Sequence, residues 1–499
     1  MKVSQLLHLL TTQGIDLKPH GLEGGFDPQL LRACFDSREV RPGDLFCALG
    51  GLRTDGRQYL SQAFEQGAAA FLLQGGHRYG AVPHLVLDPQ ASSVEVARAA
   101  GIAAHHLAGA PSEQMWIGAV TGTNGKSTVV HLVEQAMNRC GIAAAGGGTL
   151  GLRFGEAEQG VVNTTPSADL LHAWLAEVLH KGGEAALFEA SSVGIEQERI
   201  AGVAIDCAAW TNLSHDHLDI HGTMAAYASA KAKMILELAD QSMALMPARA
   251  DLLELCRETA ATTVTWALHH DEADLRGICR SRPEGVHLDI RGIFGYGEIQ
   301  STLIGAHNAE NLLLAFGMLR CAGIEPEPAC EALAACTSVP GRLQRIAPEH
   351  PAHLFVDYAH SPEALDHVAR ALKDAFPDAR LGVVFGAGGD RDKAKRAPMG
   401  AAVADVADWC VITSDNPRGE EPNSIVAAVA EGVGAGGQAC QAIQEVDRRA
   451  AIRLAVGRLQ PGDVLLVAGK GHETYQEIEG VRHAFDDREE LAEAVACST

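Results

Sequence analysis

Positive charge is in short supply in this chain: 40 lysines and arginines stand against 63 aspartates and glutamates, a net charge of −23 over 499 residues. So acidic a protein has no general attraction for nucleic acid or an anionic membrane, and any phosphate it binds must be held by a local cluster of donors. No apolar run approaches the ~18 to 20 residues that span a bilayer. The first residues, MKVSQLLHLLTTQGIDL, lack the longer hydrophobic centre and small-residue cleavage site of a secretion signal, and their periodicity suits an amphipathic helix. The expectation is a cytoplasmic protein with no membrane insertion. Twelve cysteines are present, none in C-x-x-C spacing. A chain this long has its own cores and needs no covalent staples, so reduced thiols are expected. Fixed-period repeats and low-complexity tracts are absent too, and the Gly-rich stretch 432–437 reads as a loop.

With 47% hydrophobic and 21% charged residues, the chain can bury several cores, and its length favours roughly three domains. From Ile117 onward short apolar runs alternate with helical patterns: IGAV before a helix over 127–138, then AALFEA, then CAAWTNL before a helix over 223–238. That alternation is the βαβ rhythm of a parallel sheet. After Pro340-Gly341 it restarts with LFVDYAH, a helix over 362–372, LGVVFGAGGD, WCVITSD and VLLVAGKGHE. The segment before residue 110 carries Gly and Pro breaks and mixed short elements, with a helix-prone Ala-rich stretch at 94–108. The predicted fold class is α/β in three domains: a small amino-terminal α/β domain (1–109), a central phosphate-loop parallel-sheet domain (110–338) and a Rossmann-like carboxy-terminal α/β domain (339–499).

Thr121-Gly122-Thr123-Asn124-Gly125-Lys126-Ser127-Thr128 sits between an apolar strand and an amphipathic helix. Glycines there let backbone N–H groups converge on phosphate oxygens, the helix start adds a favourable dipole, Lys126 reaches the terminal phosphates and Ser127 can ligate Mg²⁺. Val120 stands where G-x-x-x-x-G-K-S/T would have its first glycine. The variant G-T-N-G-K-S/T resembles the Mur ligases together with the folylpolyglutamate synthases. Both make amide bonds through acyl phosphates: ATP phosphorylates a carboxylate, an amine attacks, and phosphate leaves. Positioning and charge neutralisation are what the protein supplies.

Glu189 ends the apolar run AALFEA, and Asn212-Leu213-Ser214-His215-Asp216-His217-Leu218-Asp219 closes another strand. Read alone, the second is a solvated loop. It also resembles the family's N-x-S/T-x-D-H-x-D segment, which implies that Glu189 and His217 help hold two Mg²⁺ ions. Lys231 reads alone as an ordinary exposed helical lysine; the resemblance, through His221 to Lys231, implies an N6-carboxylysine at this position. Asn308 and Asn311 resemble family asparagines near the nucleotide, although Asn308 is equally well a helix cap. Arg342 and Asp357 match positions that approach ATP, with a plain helix-capping role open for Asp357.

Gly386-Ala387-Gly388-Gly389-Asp390-Arg391 follows a strand, as does Asp415-Asn416-Pro417-Arg418. The latter resembles the D-N-P-R motif of diaminopimelate-adding members. Arg418 offers a planar fork for a carboxylate, and Asp415 with Asn416 offers acceptors for an ammonium. Arg391 adds a second cation, while Gly469 and Glu473 in Gly469-Lys470-Gly471-His472-Glu473 complete the implied amino-acid site together with Pro417. At the other end, Ser37 within Asp36-Ser37-Arg38, the Thr54-Asp55-Gly56 turn, Asn163, Thr164, Thr165, Ser191, Gln197 and Arg199 resemble positions that hold a uridine-diphosphate sugar peptide. Val193 departs from the pattern, since relatives often have histidine there. The resemblance implies three substrates, ATP, UDP-N-acetylmuramoyl-L-alanyl-D-glutamate and meso-diaminopimelate, acted on by a monomer. The alternatives are a lysine-adding Mur ligase or a folylpolyglutamate synthase-like ligase.

Overall fold

The computed structural model describes residues 1–22, 26–50, 55–75, 82–270, 272–435 and 440–498. Thr54 of the predicted turn, and Gly436 and Gly437 of the predicted loop, lie outside them. Contacts cluster the chain into two compact units, one formed by Met1–Arg276, Arg291–Gly297 and Asn311–Leu333, the other by Gly277–Ile290, Glu298–Glu310 and Ala334–Thr499.

The first unit begins with a five-stranded sheet ordered Leu17–His20, His84–Leu87, Ala70–Gln74, Leu45–Cys47, Ala33–Cys34. Only its first pair is antiparallel. Val3, Leu6 and Leu10 of the expected amino-terminal helix, Val3–Thr12, line its core together with Val96, Ala99 and Ala103 of helix Ser93–Leu107. That second helix starts with a capping box: Ser92 Oγ accepts from Glu95 N and the Glu95 carboxylate accepts from Ser92 N.

The same unit then builds the parallel sheet that the βαβ rhythm predicts. Its strands run in the order Thr262–Leu268, Met243–Pro247, Cys207–Trp210, Trp116–Thr121, Ala185–Glu189, Ala144–Gly148, all parallel. Strand Trp116–Thr121 is therefore central, with Glu189 beside Val120 on one flank and Trp210 beside Thr121 on the other. Whatever follows these three strands opens at one edge, where an open α/β sheet presents functional groups. Helix Lys126–Arg139 buries Val129, Val130, Leu132, Val133, Ala136 and Met137, the spacing of one apolar stripe.

The second unit holds a six-stranded sheet ordered Gln344–Ile346, His353–Asp357, Val464–Ala468, Leu381–Phe385, Trp409–Ile412, Gln441–Gln444, parallel after the first pair. Asp357 thus ends its strand, and Gly469, Gly386 and Asp415 follow neighbouring strands, at a common edge. The expectation of a loop at 432–437 fails where the structure describes it: helix Pro422–Ala435 carries Gly432 and Gly434. A side chain at 432 would strike the Ala397 carbonyl of helix Arg396–Ala404, so this glycine serves close helix packing rather than a turn. All twelve cysteines are free. Among the described residues no helix is long and apolar enough to cross a membrane.

Candidate functional site

The loop 122–125 leaves strand Trp116–Thr121 with Gly122 at φ 141° and enters helix Lys126–Arg139 through Gly125 at φ 85°, both in the region that favours glycine. The segment after strand Cys207–Trp210 braces it. Thr123 N donates to Asn212 O at 3.0 Å, Asn124 N to Asn212 Oδ1 at 2.9 Å, and Thr211 Oγ1 to Asn124 O at 2.6 Å. Ser214 N donates to Thr123 Oγ1, which also meets the Tyr227 hydroxyl at 3.2 Å. Lys126 Nζ donates to the carbonyls of Gly122 and Thr123, both at 2.9 Å. Ser127 and Thr128 follow, half-buried on the first turn. Asn311 Oδ1 lies so close to Gly125 that a β-carbon there would collide with it.

Lys231 is not the exposed lysine its local sequence suggests. Its side chain is 1% exposed within helix Met224–Leu236, and Nζ donates to Gly122 O at 2.8 Å. Burial, with help from the nearby Lys126 charge, pushes its amine down to about 6. Glu189 is buried as well. Its Oε1 accepts from Thr149 N at 2.7 Å and its Oε2 from Thr149 Oγ1 at 3.3 Å. Thr149 escaped sequence reasoning; the only signal was a hydroxyl immediately after the strand Ala144–Gly148. A β-carbon at Gly148 would strike the Glu189 carboxylate, so a larger residue there would displace it.

His217 stands apart from this set. It takes a left-handed conformation at φ 52°, remains exposed, and faces Asp216 at 3.6 Å rather than Glu189. The His221 side chain, by contrast, is buried, with Nε2 2.9 Å from Ser192 Oγ, beside Val193.

Residues 163–165 and 189–199, distant in sequence, come together. Thr165 Oγ1 donates to Glu189 O at 2.9 Å and accepts from Ser191 N at 2.9 Å, while Arg199 donates to Thr165 O at 2.8 Å and to Gln197 Oε1 at 2.6 Å. Thr164 Oγ1 is 3.2 Å from Thr149 Oγ1, and Asn163 is exposed. Ser37 is buried, donating to Gln62 Oε1 at 2.9 Å; the neighbouring Phe35 N donates to Asp169 on helix Ala168–His180.

In the second unit Asp357 accepts from Leu343 N at 2.6 Å and Ala359 N at 2.7 Å, while the Arg342 guanidinium lies over the Tyr358 ring. Burial raises the Asp357 carboxyl, offset by Arg342. Asn308 Nδ2 donates to Ile304 O, the pattern of a helix-start brace. Asp415 Oδ1 accepts from Asn416 N at 2.7 Å, yet its buried Oδ2 has no hydrogen-bond partner among the described residues. Asn416 donates to Glu473 Oε2 at 2.9 Å and accepts from Lys470 Nζ at 3.2 Å and Glu477 N at 2.9 Å. Lys470 is wholly buried and also pairs with Glu473 at 3.0 Å. Pro417 leads into Arg418, whose φ is 51° and whose Nη1 donates to Gly389 O at 2.7 Å. A side chain at Gly388 would touch both Arg418 Nη1 and Arg391 Cγ, so the two cations flank one glycine turn. Gly469, at φ 120°, lies against Asp415 Oδ2.

Three family profiles run along the chain in order: Mur ligase family, catalytic domain, over residues 34–116; Mur ligase middle domain over 120–319; and Mur ligase, glutamate ligase domain, over 341–471. Over 480 residues, 94% of each chain, the sequence is 38% identical to the UDP-N-acetylmuramoyl-L-alanyl-D-glutamate--2,6-diaminopimelate ligase of Xanthomonas campestris pv. campestris (strain 8004). The chain belongs to the Mur ligase family. This Mur ligase is also 35% identical to the ligase of the same name from Geobacillus thermodenitrificans (strain NG80-2), covering 93% of this chain and 94% of that one. A solved structure of a UDP-N-acetylmuramoyl-L-alanyl-D-glutamate--2,6-diaminopimelate ligase superimposes with a TM-score of 0.71 at 33% identity, covering 94% and 95% of the two chains. The ADP complex of MurF from Thermotoga maritima shares the fold at 18% identity, with a TM-score of 0.61 over 93% and 96% of the chains.

Proposed function

We propose that this Mur ligase uses ATP to join meso-2,6-diaminopimelate to the D-glutamate carboxylate of UDP-N-acetylmuramoyl-L-alanyl-D-glutamate, a step of peptidoglycan precursor synthesis. The observation that carries the reading is the 38% identity, over 94% of both chains, to a ligase named for those substrates. The γ-phosphoryl group passes to the carboxylate, giving an acyl phosphate and ADP. The amine attacks that carbonyl, loses a proton, and inorganic phosphate leaves as the amide forms.

In this reading the N–H groups of Gly122, Thr123, Asn124 and Gly125 cradle phosphate, Lys126 neutralises the transferring group, and Ser127 and Thr128 open the helix beneath it. Two Mg²⁺ ions would belong to it, and Ser127, Glu189, His217 and Lys231 as N6-carboxylysine are the residues that would hold them. Glu189 fits that role, since its carboxylate offers hard oxygens and, among the described residues, only Thr149 donates to it, whereas His217 is exposed and turned to Asp216. When bound, the ions offset repulsion between the nucleotide and the substrate carboxylate. A Lys231 amine held near 6 is neutral at pH 7, the form that adds CO₂ and releases a proton to give the carbamate.

Asn308, Asn311, Arg342 and Asp357 serve the nucleotide. Ser37, Asn163, Thr164, Thr165, Ser191, Gln197 and Arg199 serve the nucleotide-sugar peptide. For diaminopimelate, Arg391 and Arg418 meet a carboxylate, while Asp415, Asn416 and Glu473 accept from an ammonium, with Pro417 and Gly469 shaping the turns. The unpartnered Asp415 Oδ2 supports this, since a buried carboxylate oxygen without a donor is costly unless a ligand supplies one. The assignment places these groups in domains 1–109, 110–338 and 339–499 of a cytoplasmic monomer. The test is phosphate release with the nucleotide-sugar dipeptide and, side by side, meso-diaminopimelate, L-lysine, or a folate with glutamate. Release dependent on meso-diaminopimelate is expected; release driven by lysine or folate alone overturns the reading.

A further inference from the structure

Arg448 is the largest fully buried cation of the second unit, and no substrate role has been given to it above. Its partner Asp487 is equally inaccessible, both side chains 0% exposed, and the pair is bidentate: Nε and Nη2 donate to the two carboxylate oxygens, each at 2.7 Å. Two further bonds leave the pair. Nη2 donates to Ala468 O at 2.9 Å, and Nη1 reaches Ser414 O at 3.4 Å. Ser414 immediately precedes Asp415, and Ala468 immediately precedes Gly469 and Lys470. One guanidinium therefore ties the backbone ends of two non-adjacent strands, Trp409–Ile412 and Val464–Ala468, at the residues that lead into the two loops of the amino-acid site.

Its charge matters as well as its fork. The Asp415 and Glu473 carboxylates both act on Arg448, and Nη2 lies near the face of Gly469 that Asp415 Oδ2 also approaches. Arg448 and Lys470 are the buried cations set among the carboxylates of Asp415, Glu473 and Asp487, and Lys395 also interacts with Asp415. Among the described residues, Asp415 Oδ2 is a buried oxygen of this cluster without a hydrogen-bond donor. Without Arg448 these three carboxylates would lose the buried cation they share, and their mutual repulsion would move them apart.

We propose that Arg448, anchored by Asp487, is a positioning residue that sets the separation and net charge of the Asp415 and Gly469–Glu473 loops, and so tunes recognition of the ammonium end of the incoming amino acid. The inference rests on the ligase reading above. Helix Arg448–Val456, capped by Asp447, carries the arginine, and helix Asp487–Ser498 carries its anchor. Neither helix contributes another residue to the proposed substrate contacts; backbone bonds from Ser414 N to Val446 O and from Phe485 N to Thr474 O join the segments before them to the site loops, and this pair adds the side-chain tie.

The experiment compares KM for meso-diaminopimelate, KM for ATP, kcat and melting temperature in Arg448→Lys and in the double variant Arg448→Met/Asp487→Leu. Lysine keeps the charge but loses the planar fork. The double variant removes both ions and fills the space with apolar side chains, an exchange that buried pairs often tolerate. The expected result is a rise of about tenfold or more in KM for the amino acid in both proteins, with KM for ATP within about twofold of wild type. Recovery of the melting temperature in the double variant without recovery of that KM separates positioning from mere stability. Wild-type KM for the amino acid in either variant overturns the inference, as does a parallel rise in both KM values. Should the double variant not fold, Arg448→Lys decides alone. Wild-type protein in the same assay reports on the ligase reading: inactivity there with meso-diaminopimelate would sink that reading instead.

Discussion

The ε-nitrogens of Lys126 and Lys231 meet on one acceptor, the Gly122 carbonyl, at 2.9 and 2.8 Å. Two ammonium ions sharing one oxygen in a buried place would repel strongly, and the pair is relieved by burial holding Lys231 near 6, neutral at pH 7. The two lysines thus have different charges and different chemistry.

Replacing Lys126 with alanine removes the cation and leaves Lys231 in place. Ligation is expected to fall below a few per cent of wild type while the melting temperature changes little, because the lost charge acts on the transferring phosphoryl group. Phosphate release and a thermal melt on the same preparation check this; substantial turnover would remove the loop from the reaction.

Lys231→Ala is expected to be inactive and to regain partial activity with high bicarbonate or an added short carboxylic acid, since the missing group is a carbamate anion. Labelled bicarbonate should also give wild-type protein, and not the variant, a carbamate carbon signal in NMR. Full activity of Lys231→Ala would show that the buried amine has only a packing role.

Wild type should use meso-diaminopimelate far better than L-lysine, and Arg418→Ala should erase most of that preference. A site built to pair a distal carboxylate leaves Arg418 unsatisfied when lysine binds. Loss of one charge-assisted bidentate contact is worth on the order of 2 to 4 kcal/mol, about 30- to 1,000-fold in relative kcat/KM. Measuring kcat/KM for both amino acids in both proteins decides; an unchanged ratio would count against the assignment.

His172 makes an acid-sensitive joint. Its ring is fully buried against the His105 ring, Nε2 lies 2.9 Å from Ala201 O, and burial pushes it down from 6.5 to about 3. The folded state keeps the ring neutral while the unfolded chain protonates below about 6.5, so stability is fully present above that pH and is lost as pH falls toward 3. Between pH 7.5 and 5 the loss from this group is about 2 kcal/mol. Denaturant titrations at both pH values should show it in wild type and show less in His172→Gln; an equal acid loss in both would assign it elsewhere.

Much of this was legible in the sequence because local pattern and tertiary placement agree. The switch from the apolar run at Ile117 to helical spacing after Lys126 fixes a strand, a glycine turn and a helix without help from the rest of the chain. Lys231 is the contrary case. Its neighbours Ala228, Ala230 and Ala232 give no charge pattern to read, and its burial comes from how the helix packs beneath the loop 122–125. Arg448 and Asp487 were hidden for a similar reason, being 39 residues apart with no shared motif. The glycines at 432 and 434 misled because a residue without a side chain serves a turn and a tight helix crossing equally well.

The strand Ala144–Gly148 carries no functional group, yet a β-carbon at Gly146 would meet the ends of the Glu134 and Arg153 side chains, and one at Gly148 would meet the Glu189 carboxylate. A side chain at either position therefore displaces a charged group: the Glu134–Arg153 pair at 146 and the Glu189 carboxylate at 148. Under selection with an inhibitor, a substitution at 148 should act through Glu189, reshaping the site from a strand that contributes no group to it.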